Sequence, residues 1–260
     1  MPGGRFPTRG LGLLTAVLCV AALLSGCELE SRNVVQPLPQ DTSGPIQKAK
    51  PYTGMSPAQI YALLAETTQD ALSVQVKATQ VEDDIEVKIN LQVSRAGRAR
   101  GTITLPEGTM QVRFVGGEFY FLPDRQLLDD IAYGDRVWAE RMTGLWIRIP
   151  ESTDTRFFFD LTDMDILLDN LLDLERPQRG LKRVKGKEMG GRKTVGLRTA
   201  RGTGTIYVDA DGSGRLIGVR ERGYHAVFTH WNKKVPVKAP TELMPEQEMD
   251  WGQPGPGIKA

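Results

Sequence analysis

Histidine and cysteine are almost missing from these 260 residues, with two of each. No cysteine follows Cys27, so the body of the chain has no internal disulfide and no Cys-based metal site. His225 and His230 stand five apart in one expected strand, which sends them to opposite faces and argues against a shared metal. No Gly-x-Ser-x-Gly occurs, so the nucleophile elbow of the hydrolases is absent. Gly202-Thr-Gly204 lacks the third glycine and the following helix of a dinucleotide fingerprint. Asp209-Ala-Asp-Gly-Ser-Gly214 begins like a calcium loop, but its twelfth position is Arg220 instead of a bidentate Glu. A hairpin turn between strands at Thr203–Val208 and Leu216–Glu221 accounts for it better. The carboxylate pairs Asp163/Asp165 and Asp129/Asp130 fall on solvated helix faces. Neither catalysis nor a cofactor or metal is expected.

The first residues lack acidic side chains altogether: none precedes Glu28, whereas Arg5 and Arg9 are basic. An apolar run, Leu11–Leu24, follows them and ends at Ser25-Gly26-Cys27. It is shorter than the roughly 20 helical residues that span a hydrocarbon core. It fits the apolar region of a secretion signal. Leu24, Ser25, Gly26 and Cys27 together resemble the lipobox of bacterial lipoproteins. That resemblance implies cleavage before Cys27 and acylation of its thiol, with Leu24, Ser25 and Gly26 read by the signal peptidase. One acyl chain holds a membrane only reversibly, at roughly 0.8 kcal/mol per buried CH₂, whereas two or three hold stably. The expected place is the outer face of the cell membrane, with the membrane itself a partner through Cys27.

Loss of residues 1–26 would remove Cys19, Arg5 and Arg9. The 33 Lys and Arg then become 31, against 32 Asp and Glu, so nucleic acid is not an expected partner. Residues 27–54 carry the acylated Cys and a linker with Pro37, Pro39, Pro45 and Pro51 and no amphipathic period. Residues 55–241 form the expected domain, and 242–260 a polar C-terminal tail with Gly252-Gln-Pro-Gly-Pro-Gly257.

Within the domain, Ser56-Pro57 predicts a helix start, with Ile60, Leu63, Leu64 and Ala71 at helical spacing. Ile85, Val87, Ile89, Leu91 and Val93 then alternate with Glu86, Lys88, Asn90 and Gln92, which predicts a half-buried antiparallel strand. Strands at 100–105, 109–115 and 118–122 follow, separated by Pro106-Glu107-Gly108 and Gly116-Gly117. Asp124–Met142 reads as helix through Leu127, Leu128, Ile131, Tyr133 and Val137, weakened at Gly134. After a short strand at 145–149, residues 162–174 place Met164, Leu167, Leu168, Leu171 and Leu174 on one helical face. Six strands are expected after that, at 181–188, 193–199, 203–209, 215–222, 224–230 and 234–238. Strands interrupted by one helical block predict α+β, a sheet with helices covering one face.

That succession resembles the actinobacterial LppX/LprG lipoproteins with their LolA-like half-barrel. It rests on Gly144-Leu-Trp-Ile147, the cover Met164–Leu174, Gly191-Arg-Lys-Thr194 and Val235-Pro-Val-Lys-Ala-Pro240 behind a lipobox. The resemblance implies a curved antiparallel sheet with a helical lid, enclosing an apolar cavity for the acyl chains of an envelope lipid or glycolipid. Ile85, Val87, Ile89, Leu91, Val93, Val112, Phe114, Leu167 and Leu171 would line it. Asp124–Met142 departs from the pattern in its Arg and Asp content, which bears on whether a cavity stays open. The same side chains would equally make a filled sheet interior, and alternation does not separate the two. Three readings stand: a carrier of an acylated lipid, a lipoprotein that binds another envelope protein without a lipid, and an enzyme whose site the sequence hides.

Overall fold

Ser56 opens the first helix, α1 (Pro57–Gln69), through a capping box. Its hydroxyl accepts from the Gln59 backbone, and the Gln59 side chain accepts from the Ser56 backbone at 2.8 Å, with Pro57 preset for the first turn. The computed structural model describes residues 52–152, 155–172, 180–198 and 204–245, without the side chains of Asn170 and Leu171.

Five strands follow α1 as an antiparallel meander: β1 (Ser73–Glu82), β2 (Ile85–Ser94), β3 (Arg98–Leu105), β4 (Gly108–Val115) and β5 (Glu118–Pro123). Then come α2 (Arg125–Ile131), α3 (Arg136–Met142), β6 (Ile147–Ile149), α4 (Arg156–Thr162) and α5 (Met164–Leu172). The last strands are β7 (Lys182–Val184), β8 (Glu188–Met189), β9 (Arg192–Arg198), β10 (Gly204–Asp209), β11 (Leu216–Glu221) and β12 (Tyr224–Thr229). Their order is β6-β5-β4-β3-β2-β1-β12-β11-β10-β9-β7, with β8 added on β9. The sheet is open, ending at β6 and β7, and its helices are few: an α+β fold, as expected.

Directly opposed residues in antiparallel strands share a face. Val76 meets Leu91 and Phe228, Leu91 meets Gly101, Gly101 meets Val112, and Val112 meets Phe121, which meets Ile147. One face is therefore apolar from β12 to β6, and the helices pack on that inner side. The outer side of β1–β3 carries Lys77, Thr79, Lys88, Asn90, Gln92 and Arg100. The sheet is pinched at Gly101, where a Cβ would stand 1.9 Å from the Asn90 carbonyl oxygen. Only glycine lets β2 and β3 approach so closely, and such a position is where a sheet bends.

Five elements differ from the sequence expectation, the first being the 181–188 strand, which is two short strands, β7 and β8. β1 is the central strand, joining the two halves of the chain, yet its alternation fades after Ala78 into Gln80 with Val81 out of phase. Residues 124–142 form two helices, because Tyr133 and Gly134 both take positive φ; Tyr133 and Val137 are exposed, whereas Leu127 and Leu128 are buried. The helix expected from 162 starts at Met164 as α5, after a break at Asp163 that separates it from α4; the Asp163 carboxylate accepts from the Asp165 and Ile166 backbones. Residues 234–238 are not a strand. That closing segment runs on to a bridge between Leu243 and Trp146, and buried Tyr52 and Met244 extend the packed unit beyond 55–241.

Candidate functional site

The inner face has two ends. The β1–β2 turn at Asp83-Asp84 and the β11–β12 turn at Arg222-Gly223 lie at one, joined by a Val81 N–H to Gly223 carbonyl bond of 2.6 Å. The β2–β3 turn at Arg95–Gly97 and the β4–β5 turn at Gly116-Gly117 lie at the other.

The Arg95 end is closed except around Phe114 and α4. Leu91, Val93, Ala99 and Phe119 are 0% exposed there. Arg95 acts as a clamp: its guanidinium donates to the carbonyls of Ala71 (2.7 Å) and Thr68 (3.4 Å) and pairs with Asp165 on α5. It thereby satisfies carbonyls at the end of α1 while holding the start of α5. Burial pushes the guanidinium below its ordinary value, against the opposing pull of Asp163 and Asp70. The Tyr61 hydroxyl donates to the Leu172 carbonyl at 2.6 Å, which ties α1 to the end of α5.

The aromatic triplet Phe157-Phe158-Phe159 on α4 covers the neighbouring strands. Phe159 packs edge-on to Phe114 with centroids 5.9 Å apart, and Phe119 meets Phe158 at 5.4 Å and Phe159 at 5.9 Å. Such pairs contribute roughly 0.5–1.5 kcal/mol each beyond area burial. Yet Phe114, Phe157, Phe158 and Phe159 all remain half-exposed.

Towards the Asp83-Asp84 end the inner face also opens. Ile85 and Ile89 are half-exposed beside buried Val87. Gln80 lies between Val87 and Tyr224 in register, and its amide donates to Glu82 at 3.4 Å. An apolar strip thus ends in an amide, a carboxylate and a phenol. Burial pushes the Tyr224 phenol above its ordinary value.

Of the residues expected to line a cavity, Val87, Leu91, Val93, Val112 and Leu167 are buried, and Ile85, Ile89 and Phe114 are half-exposed. All but Leu167, which α5 carries, lie on the inner face of β2 and β4. The Leu171 side chain and Leu174 lie outside the described residues, as do Leu24, Ser25, Gly26 and Cys27. Sequence reasoning missed α4 and Gln80. Three adjacent phenylalanines have no period, and the one local signal for a helix there is the Arg156–Asp160 pair, one turn apart at 2.9 Å.

The tryptophan motif meets the chain just past the closing Val235–Pro240 motif. The Trp146 N–H donates to the Glu242 carbonyl (2.9 Å) and the Met244 N–H to the Trp146 carbonyl (2.8 Å), while Arg113 sits 4.1 Å over the indole. In Gly191-Arg-Lys-Thr194, Arg192 pairs with buried Asp209 and with Asp211, which explains the Asp-rich turn as a hairpin. His225 and His230 are both exposed, and His230 lies just past the end of β12. Among the described residues, no three His, Cys, Asp or Glu side chains cluster as a metal site. No helix there is long and apolar enough to cross a membrane.

Similar solved structures include LprF from Mycobacterium bovis, 11% identical with a TM-score of 0.47, covering 71% of this chain and 96% of that one. The lipoprotein LppX from Mycobacterium tuberculosis is 14% identical, with a TM-score of 0.44 over 70% of this chain and 98% of that one. The chain is similar to LprF and LppX. A chain of the MucA/MucB complex from Pseudomonas aeruginosa is 15% identical with a TM-score of 0.32, covering 72% of this chain and 62% of that one. No family model and no curated protein matches the sequence.

Proposed function

We propose that this chain is an envelope lipoprotein, anchored through Cys27, that binds an acylated lipid between its helices and the inner face of its sheet. The observation that carries the reading is the half-exposure of Ile85, Ile89, Phe114, Phe158 and Phe159. These apolar side chains lie on the helix-covered side, and their half-exposure leaves apolar surface there for a ligand to cover. Acyl chains gain roughly 25 cal/mol for each Å² of apolar surface they withdraw from water. Gln80, Glu82 and Tyr224 at the open end supply hydrogen-bonding groups for the polar part of an amphiphile.

The direct test is native mass spectrometry of the polypeptide 28–260, purified from the cells that make it. All the buried residues described lie between Tyr52 and Met244, so this polypeptide retains its core. Adducts with the mass of an acylated lipid are expected, as is uptake of a fluorescent acyl probe after delipidation. A bare mass together with no probe uptake would defeat the lipid reading.

The anchor is tested separately. Cys27→Ala in the full chain is expected to leave the precursor uncleaved and unacylated. Maturation of the variant to the parental size, with retention on membranes through a salt wash, would overturn the assignment.

A further inference from the structure

The charge of the domain is unevenly placed. Between Lys182 and Arg198, the edge formed by β7, β8 and β9, there are seven basic residues and one carboxylate, Glu188. Arg192 is taken up by Asp209 and Asp211. Lys182, Arg183, Lys185, Lys187, Lys193 and Arg198 are exposed and form no ion pair among the described residues. At the other end of the sheet, Asp124–Met142 carries five acidic and three basic side chains. A nearly neutral chain therefore has a strongly basic edge.

A second observation falls on the same edge. Arg183 of β7 donates to the Tyr52 carbonyl at 3.2 Å, and the buried Tyr52 phenol accepts from the Gly214 N–H at 3.0 Å. Burial pushes that phenol up to about 12, so it stays protonated throughout the neutral range. The segment that leads back to Cys27 thus leaves the domain at the basic edge. Only 25 residues, Cys27–Pro51, separate the acylation site from that edge. Whatever Cys27 is fixed to meets this edge at high effective concentration, so weak contacts there suffice.

We propose that the β7–β9 edge is a docking surface for the anionic phospholipid headgroups of the bilayer that holds the anchor. This rests on the Cys27 anchor, though not on any lipid bound inside the domain. Lysines close to an anionic leaflet each add affinity and lose it within a Debye length, so the contact is additive and salt-sensitive.

The test uses the unlipidated polypeptide 28–260, whose binding owes nothing to the anchor. Co-sedimentation is measured with vesicles of phosphatidylcholine alone and with about 30% phosphatidylglycerol. Binding is expected only to the anionic vesicles and is expected to vanish at about 0.5 M salt. The variant Lys182→Gln, Lys185→Gln, Lys187→Gln, Lys193→Gln should lose roughly five hundredfold or more in partitioning, at roughly fivefold per cation. Its melting temperature should match the parent, since all four side chains are exposed. Arg125→Gln with Arg136→Gln, at the far end of the sheet, should bind as the parent does. Parental binding by the quadruple variant, or equal binding to neutral vesicles, would overturn the docking surface. Either result leaves the acyl-probe and Cys27→Ala measurements intact as separate tests.

Discussion

Leu91→Ala is expected to destabilise the domain by about 2–5 kcal/mol, the usual range for a leucine deleted from a packed core. Leu91 is 0% exposed, faces Val76 on one side and Gly101 on the other, and lies at the closed end of the inner face. Gly101 has no side chain to move into the vacated space, and a residue larger than glycine there would strike the Asn90 carbonyl. The cavity therefore persists, which places the expected cost in the upper half of the range. Leu91→Asp adds an unpaired buried charge to that loss and should leave the chain unfolded at ambient temperature. Lys88→Ile, three residues earlier on the outer face, should change stability by less than about 0.5 kcal/mol, because it exchanges one exposed side chain paired only with Glu86. Denaturant titration of the three variants checks the strand phase. Comparable losses for Leu91→Ala and Lys88→Ile would show that the face assignment is inverted.

That phase was legible because β2 alternates without a break from Ile85 to Val93, and one buried face demands such a pattern. The strand that β2 pairs with was not legible. β1 shows the same period only over Val74, Val76 and Ala78, then places Gln80 and Glu82 on the inner face, beside half-exposed Ile85 and Ile89. The sequence signal fails where polar side chains take inner-face positions. α4 was hidden for a related reason: its three phenylalanines point in several directions because sheet, lid and solvent all adjoin them. Strand boundaries from β9 to β12 were readable from turn residues, whereas the closing segment 234–238 was misread. The pairing that the chain does make there comes a few residues later, between Glu242–Met244 and the distant Trp146, and single-chain alternation carries no trace of it.

Enlarging the inner face should separate packed positions from open ones. Val87 and Leu167 are 5% and 9% exposed, so Val87→Trp and Leu167→Trp are expected to overpack the interior and cost about 1–3 kcal/mol each. Ile89 lies two residues beyond Val87 on the same face and is half-exposed. In Ile89→Trp the added ring has solvent to displace, so stability should hold or rise. The same ring would occupy space that the proposed acyl chain needs, so uptake of a fluorescent acyl probe should fall at least tenfold, or about 1.4 kcal/mol. The signature of a lipid site is thus a divergence: probe binding lost at Ile89→Trp with the melting temperature kept. A surface that contacts another envelope protein predicts no probe binding in the parent and no such divergence. If all three variants destabilise alike and the delipidated parent takes up no probe, the inner face is a filled core. The half-exposed phenylalanines of α4 then become the apolar patch at which a protein partner would be sought.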